Sequence, residues 1–362
     1  MEVLLVGPYP PSTGGVQVYM MELARALSEL GHEPTVLSYS EAAPVRGERV
    51  VRLPTVGLRG LRGLSFISMA SAWISLRGGD FDVVSAHYAK VSGISAFLAR
   101  EVGGPDYVVT FHGTDSLSRG LALLATRLAV SRARAVTAVS KFLARRVEEV
   151  FGRRACVTPG AVWPGEYLSL PDREEAREIL GLPRDAPVLA IVGSLVPVRR
   201  PALALRIALS VRGAVALVVG GGPLEPRLRR LVAELSAQDR VVFAGRVPHD
   251  RIPLFFRAAD LSIHTPRFEG FGLSILESMA AGTPPAATPV GAIPELVSDW
   301  ETGVLIPEDP ARAGEVIDGL LSDGETLREM GERCASLATS RSWLDVAEAL
   351  LQAYREGCGS GG

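Results

Sequence analysis

Short apolar runs recur along this chain, each followed by a turn carrying glycine or proline and then by a stretch with helical periodicity. The first, residues 3–6, leads into Gly7-Pro-Tyr-Pro-Pro-Ser-Thr-Gly-Gly15. Val16, Met20, Leu23, Leu27 and Leu30 then fall on one helical face before Gly31. Similar runs stand at 35–39, 83–86, 107–111 and 135–139, and a second series at 188–192, 215–219, 241–247 and 260–264. Strands alternating with helices build a parallel, doubly wound α/β sheet, and ligands on such sheets bind beyond the carboxyl ends of the strands. A length of 362 residues suits two such domains, each with its own core.

Composition narrows the class further. Hydrophobic residues make up 47% and charged residues 22%, which excludes bulk disorder. Met-Glu-Val-Leu-Leu-Val-Gly runs straight into a strand, with no basic region and no cleavage pattern of a signal peptide. The longest uncharged apolar stretches, such as 63–76, fall short of the ~20 residues that span a bilayer. Cys156, Cys334 and Cys358 show neither metal-ligand spacing nor pairing logic, so they fit a reducing cytoplasm. Residues 1–165 carry 18 basic and 13 acidic side chains, and the remainder 20 and 27. That imbalance is compatible with an anionic membrane surface at the first half or with an ordinary solvated surface. Nothing points to nucleic acid.

The stretch Arg267-Phe-Glu-Gly-Phe-Gly-Leu-Ser-Ile-Leu-Glu-Ser-Met279 concentrates the chemistry. Gly270-Phe271-Gly272 breaks the preceding strand. From Leu273, the residues Leu273, Leu276 and Ala280 repeat at helical spacing, and Gly282 stands where a C-terminal cap is expected. Glu269 therefore lies in the loop and Glu277 about one turn inside the helix. Between them, the unpaired N–H groups of the first turn and the helix dipole favour an anion. One carboxylate on each side of an anion site suits a nucleoside diphosphate sugar, with its diphosphate centre and its hydroxyls at both ends. The competing reading is two solvated surface charges at a helix end, the usual fate of glutamate.

Glu269 to Glu277 reproduces the E-x7-E signature of retaining glycosyltransferases of family 4. Ala280-Ala-Gly-Thr-Pro284 and Gly291-Ala-Ile-Pro-Glu295 resemble that family too. The resemblance implies the GT-B fold, with two doubly wound Rossmann-like domains facing across a cleft. It divides the chain into an acceptor-side domain over 1–163, joined by the closing helix 343–356, and a donor domain over 164–340. The implied reaction moves a hexose from a UDP- or GDP-sugar to a hydroxyl of a sugar or lipid-linked acceptor with retention. No cofactor and no metal is implied. Glu277 would hold the ribose hydroxyls and Glu269 those of the sugar, while the N–H groups of Phe271, Gly272 and Leu273 and the side chain of Arg199 face the diphosphate.

Further residues follow from the same resemblance. Gly14 and Gly15 match the family's loop against the diphosphate; a glycine pair alone does not establish that, and neither G-x-G-x-x-G nor G-x4-G-K-[S/T] occurs. His112, in Phe111-His-Gly-Thr-Asp115, matches the histidine beside the reacting sugar, and His87 ends the previous strand. In Gly193-Ser-Leu-Val-Pro-Val-Arg-Arg200 the family has arginine after the glycine and lysine four residues after the leucine. Arg199 matches the lysine, Ser194 replaces the arginine, and Arg200 is expected to compensate in part. Arg246 and Val247 match the stretch that borders the nucleobase, and Gly220-Gly-Gly-Pro223 makes another glycine turn. Asp80-Phe-Asp82 precedes a strand instead of following one, so it reads as a cap for that strand and not as a metal site. Arg46, Arg49, Arg52, Arg59 and Arg62 precede an apolar segment, a composition suited to peripheral membrane contact or to a helix packed on the sheet behind a wet loop. Two other functions stay open at this point: a non-catalytic nucleotide-sugar-binding subunit, because of Ser194, and a sugar-nucleotide epimerase of the same fold.

Overall fold

The structure, a computed structural model, describes residues 1–11, 14–58, 61–117 and 119–358. Ser12 and Thr13 of the first glycine loop, Arg59 of the basic stretch, and 359–362 of the tail lie outside the described residues. The chain forms two compact units, Met1–Gly160 with Trp343–Gly362, and Ala161–Ser342.

In the first unit seven strands pair in parallel: β1 (Glu2–Val6), β2 (Glu33–Tyr39), β3 (Arg49–Leu53), β4 (Val83–His87), β5 (Val108–Phe111), β6 (Ala135–Ala138) and β7 (Cys156–Val157). Their order is β3-β2-β1-β4-β5-β6-β7, so the winding reverses between β1 and β4. The second sheet holds β8 (Val188–Val192), β9 (Val215–Val219), β10 (Val241–Gly245), β11 (Leu261–His264), β12 (Pro285–Ala287) and β13 (Val304–Leu305) in the order β10-β9-β8-β11-β12-β13. Its reversal falls between β8 and β11. At such a switch point the loops leaving neighbouring strands diverge to opposite faces and open a crevice. The apolar runs are strands because both faces are covered: Val3 through Val6 are all fully buried, as are Leu189 and Ala190.

Arg49–Leu53 is a strand where the sequence suggested only a basic approach to a helix. It pairs on the outer edge of β2, and both of its arginines, Arg49 and Arg52, are exposed. Asp82 does not cap its own strand; its carboxylate accepts from the Glu2 N–H at 2.9 Å, fastening the start of β1, while Asp80 pairs with Arg77. Among the described residues no helix is long and apolar enough to cross a membrane.

The closing helix, Trp343–Glu356, packs on the Gly15–Glu29 helix and on β6, and its Trp343, Val346, Ala347, Leu350 and Leu351 are buried. The Trp343 ring meets Tyr19 edge-on with centroids 5.1 Å apart. The expectation of three unpaired cysteines is overturned. Cys358 returns beyond this helix to form a disulfide with Cys156 in β7, across 202 residues of sequence. No local spacing records a pairing made by a helix folding back over the sheet, and the bond removes the cysteine argument for a reducing compartment. Cys334 stays free and buried.

Candidate functional site

Residues expected at the donor site in the second unit gather at the carboxyl edge of its sheet. Gly193 to Arg200 follow β8, Gly220 to Gly222 follow β9, Arg246 and Val247 follow β10, and Thr265 to Gly272 follow β11. The loops are stitched by main-chain bonds: Gly193 N–H to the Val219 carbonyl at 2.9 Å, Gly220 N–H to the Gly245 carbonyl at 2.7 Å, and Leu195 N–H to the Gly221 carbonyl at 3.1 Å. Gly220 is required there. Its φ is +127°, and a Cβ on it would lie 2.0 Å from the Gly193 carbonyl oxygen. Gly221 is likewise pressed against the side chain of the exposed Arg246.

The glutamates flank a helix start. Leu273–Ala280 is the helix, Gly272 is its N-cap with φ of +102°, and Ile275 and Leu276 donate to the Gly272 carbonyl. By helix geometry the N–H groups of Gly272, Leu273 and Ser274 have no intrahelical acceptor. Glu269 is 8% exposed and Glu277 7%, so neither is the solvated surface charge of the competing reading. Glu269 is fixed at its backbone, where its carbonyl accepts from the Ala292 N–H at 3.0 Å and Gly291 lies so close that a Cβ would clash. The Gly291-Ala292 motif therefore serves to hold Glu269.

Arg199 forms an ion pair with Glu269 through Nη1 and Oε2, and the other carboxylate oxygen accepts a long bond, 3.4 Å, from the Phe271 N–H. Arg200 is placed differently. It sits in the left-handed region with φ of +48°, its guanidinium donates to the Thr265 and Pro266 carbonyls at 2.7 and 3.1 Å, and it pairs with Glu308 at 2.7 Å. Its fork is committed to holding the loop after β11, which is not the compensation for Ser194 expected of it. Ser194 itself is half-buried. His264, at the end of β11, is buried, lies 2.9 Å from the Ser262 hydroxyl, and is pushed down to about 3, by burial first and then by the charge of Arg199.

Glu277 has a partner that no sequence signal announced. His249 Nε2 lies 2.7 Å from Glu277 Oε1. The two stand 28 residues apart, and His249 opens a one-turn helix, His249–Arg251, immediately after the Arg246-Val247 stretch.

In the first unit His112 follows β5. Its Nε2 lies 3.0 Å from His87 Nδ1, and His87 Nε2 lies 3.2 Å from the Ser85 hydroxyl. Burial holds His87 near 3 and His112 well below the usual imidazole range, with His87 adding to the latter. Both rings are therefore neutral, and across their shared hydrogen bond one nitrogen donates and the other accepts. Tyr19 presses edge-on against His112 at 4.9 Å between centroids and donates its hydroxyl to the Thr158 carbonyl at 3.0 Å. The fully buried Asp115 accepts from the N–H groups of Gly113, Ala89 and His112 at 2.8 to 3.3 Å, which sets the loop. Burial raises its carboxyl despite those bonds. Gly14 caps the Gly15–Glu29 helix with extended backbone. A cavity of about 420 Å³ opens beyond the ends of β1, β2 and β4, lined by Pro8, Gln17, Tyr39, Arg62, Tyr88 and Ser92 among others. Among the described residues no three His, Cys, Asp or Glu side chains cluster as a metal site would need.

Two sheets of Rossmann-like order, each with its polar residues at the carboxyl edge, define the GT-B class of glycosyltransferase fold. Solved structures agree: sucrose-phosphate synthase from Thermosynechococcus elongatus superposes with a TM-score of 0.87 over 98% of both chains at 22% identity. The Anabaena protein Alr3699/HepE, in complex with UDP and glucose, gives 0.83 over 98% of this chain and 100% of its own at 20% identity. The model for Glycosyltransferase Family 4 matches residues 13–164, and that for Glycosyl transferases group 1 matches 172–336. The D-inositol 3-phosphate glycosyltransferase of Acidothermus cellulolyticus is 31% identical over 95% of this chain and 86% of its own length. That of Mycobacterium bovis is 30% identical over 98% and 81%. The chain belongs to glycosyltransferase family 4 and is an enzyme that transfers a glycosyl group from a nucleotide sugar.

Proposed function

We propose that the second unit holds a UDP- or GDP-hexose around the start of the Leu273–Ala280 helix, and that the hexose passes to an acceptor hydroxyl with retention. The observation that carries this reading is the placement of two buried carboxylates and one arginine around a single helix N-terminus. Glu277 takes the ribose hydroxyls and Glu269 the sugar hydroxyls. Arg199 and the N–H groups of Phe271, Gly272 and Leu273 receive the charge that develops on the departing diphosphate. Gly193 and Ser194 border the diphosphate, and the backbone of Arg246 and Val247 borders the base. His112, as a neutral ring, hydrogen-bonds a sugar hydroxyl. The acceptor attacks from the face the phosphate leaves, and the phosphate oxygen takes the proton, so these residues assign no side-chain base. With a cation and a helix terminus on the diphosphate, we assign no metal to the reaction; activity unchanged by EDTA is the expected result, and loss restored by a divalent ion would remove that part.

Arg62 lines the cavity of the first unit, pairs with Glu41 and lies over the Tyr39 ring with 4.7 Å to its centroid. An aromatic wall with one guanidinium suits a polyhydroxylated acceptor, and the relatives named for D-inositol 3-phosphate make that compound the first to assay. Peripheral contact with an anionic membrane is supported by the Leu61–Arg77 and Gly120–Arg132 helices, which contain no acidic residue. On the latter, Leu121, Leu124 and Leu128 are exposed at helical spacing. Cosedimentation with phosphatidylglycerol but not phosphatidylcholine vesicles would bear this out, and equal recovery from both would sink it.

Isothermal titration with UDP and GDP tests the central assignment. Glu277→Ala should abolish binding, whereas Glu269→Ala should lower turnover more than affinity. Unchanged affinity in Glu277→Ala would remove its role.

A further inference from the structure

We propose that His249 is a positioning residue for the nucleotide, orienting the Glu277 carboxylate so that one of its oxygens is kept for the ribose. This rests on the assignment of Glu277 to the ribose made above. An ionised carboxylate only accepts hydrogen bonds, so the 2.7 Å contact requires a proton on His249 Nε2. The histidine donates, Glu277 Oε1 is satisfied, and Oε2 is left as the acceptor for sugar hydroxyls. The pair is unequal in exposure: the side chain of Glu277 is 9% exposed and that of His249 35%. The carboxylate is thus desolvated, and the imidazole replaces part of the water it has lost while fixing the plane of the group.

Position supports a role in binding over one in the fold. His249 lies two residues beyond Val247, on the loop that leaves β10 at the same sheet edge as the Gly193 and Gly220 turns. A vicinal diol needs its acceptor held in one plane before it arrives. A Glu277 side chain free to rotate would lose that freedom on binding, weakening affinity without touching the chemical step.

Titration of UDP and GDP into wild type, His249→Ala, His249→Gln, Glu277→Ala and the double variant His249→Ala/Glu277→Ala separates the possibilities. Loss of one charge-assisted hydrogen bond predicts a Kd and a donor KM raised by about tenfold in His249→Ala, with kcat within twofold of wild type. Glutamine carries an N–H donor at the reach of Nε2 and should recover most of the loss. His249→Ala should add nothing in the Glu277→Ala background, read as donor KM where heats become too small. Wild-type affinity in His249→Ala beside lost affinity in Glu277→Ala would overturn the positioning role and leave the ribose assignment standing. Wild-type affinity in Glu277→Ala would overturn both. A fall in kcat alone, or no recovery in a folded His249→Gln, would also overturn it, with the thermal melt of each variant reporting folding.

Discussion

Replacing Arg199 by methionine keeps most of the side chain's length and removes its charge. A cation about 4 Å from a diphosphate oxygen contributes about 4 kcal/mol at an effective dielectric of 20. The Arg199 side chain is 36% exposed and already shares its charge with Glu269, so solvent and the resident carboxylate reduce that figure. About 2–3 kcal/mol remains, which is a fall of roughly 30- to 150-fold in kcat/KM for the donor. Stability should fall as well, because Glu269 keeps its burial and loses its counter-ion; roughly 1–2 kcal/mol is expected after the same discount, a drop of several degrees in the melt of the second unit. Arg199→Lys restores the point charge without the planar fork and should recover about tenfold. Initial rates of nucleotide release under donor limitation, beside a thermal melt, measure both effects. A kcat/KM within threefold of wild type in a folded Arg199→Met would refute the claim that this cation carries the leaving group.

Three other perturbations follow from the geometry. Burial holds His87 and His264 to about 3 against about 6.5 unfolded, so each neutral ring contributes stability that is present above 6.5 and is lost as pH falls toward 3. At pH 5 that loss is about 2 kcal/mol per histidine, and urea unfolding at pH 7 and 5 should show a shallower loss in His87→Gln than in wild type; an equal slope would count against it. Reducing the Cys156–Cys358 bond, or Cys156→Ser, should cost the first unit about 2–4 kcal/mol, read as a lower melt in dithiothreitol; an unchanged melt would mean the tether does not restrict the unfolded chain. Gly220→Ala forces a Cβ into the Gly193 carbonyl at a positive φ and should cost at least about 1–3 kcal/mol together with donor binding, whereas Gly319→Ala, in an open helical position, should be neutral or mildly stabilising.

Much of this was legible in the residues. The run at 3–6 and its counterparts became strands because a four- or five-residue apolar run between turn residues cannot bury itself otherwise. The Leu273–Ala280 helix began after Gly272 and ended before a left-handed Gly282, as the local pattern required. Arg49–Leu53 was illegible because its exposed arginines stand three residues apart, with no period-two alternation to mark a strand, and so read as a wet loop. Local periodicity, turn residues and short motifs thus determined the alternation of elements, the two-sheet class and the position of Glu269 and Glu277 about a helix start. The tertiary structure alone decided that His249 meets Glu277, that His87 meets His112, that Arg200 is spent on carbonyls and Glu308, and that Cys358 finds Cys156. The physical reason is common to all four. Backbone preference is a property of neighbours along the chain and leaves a trace in spacing. A contact between side chains 25 to 202 residues apart depends on which loops the strand order brings to one edge.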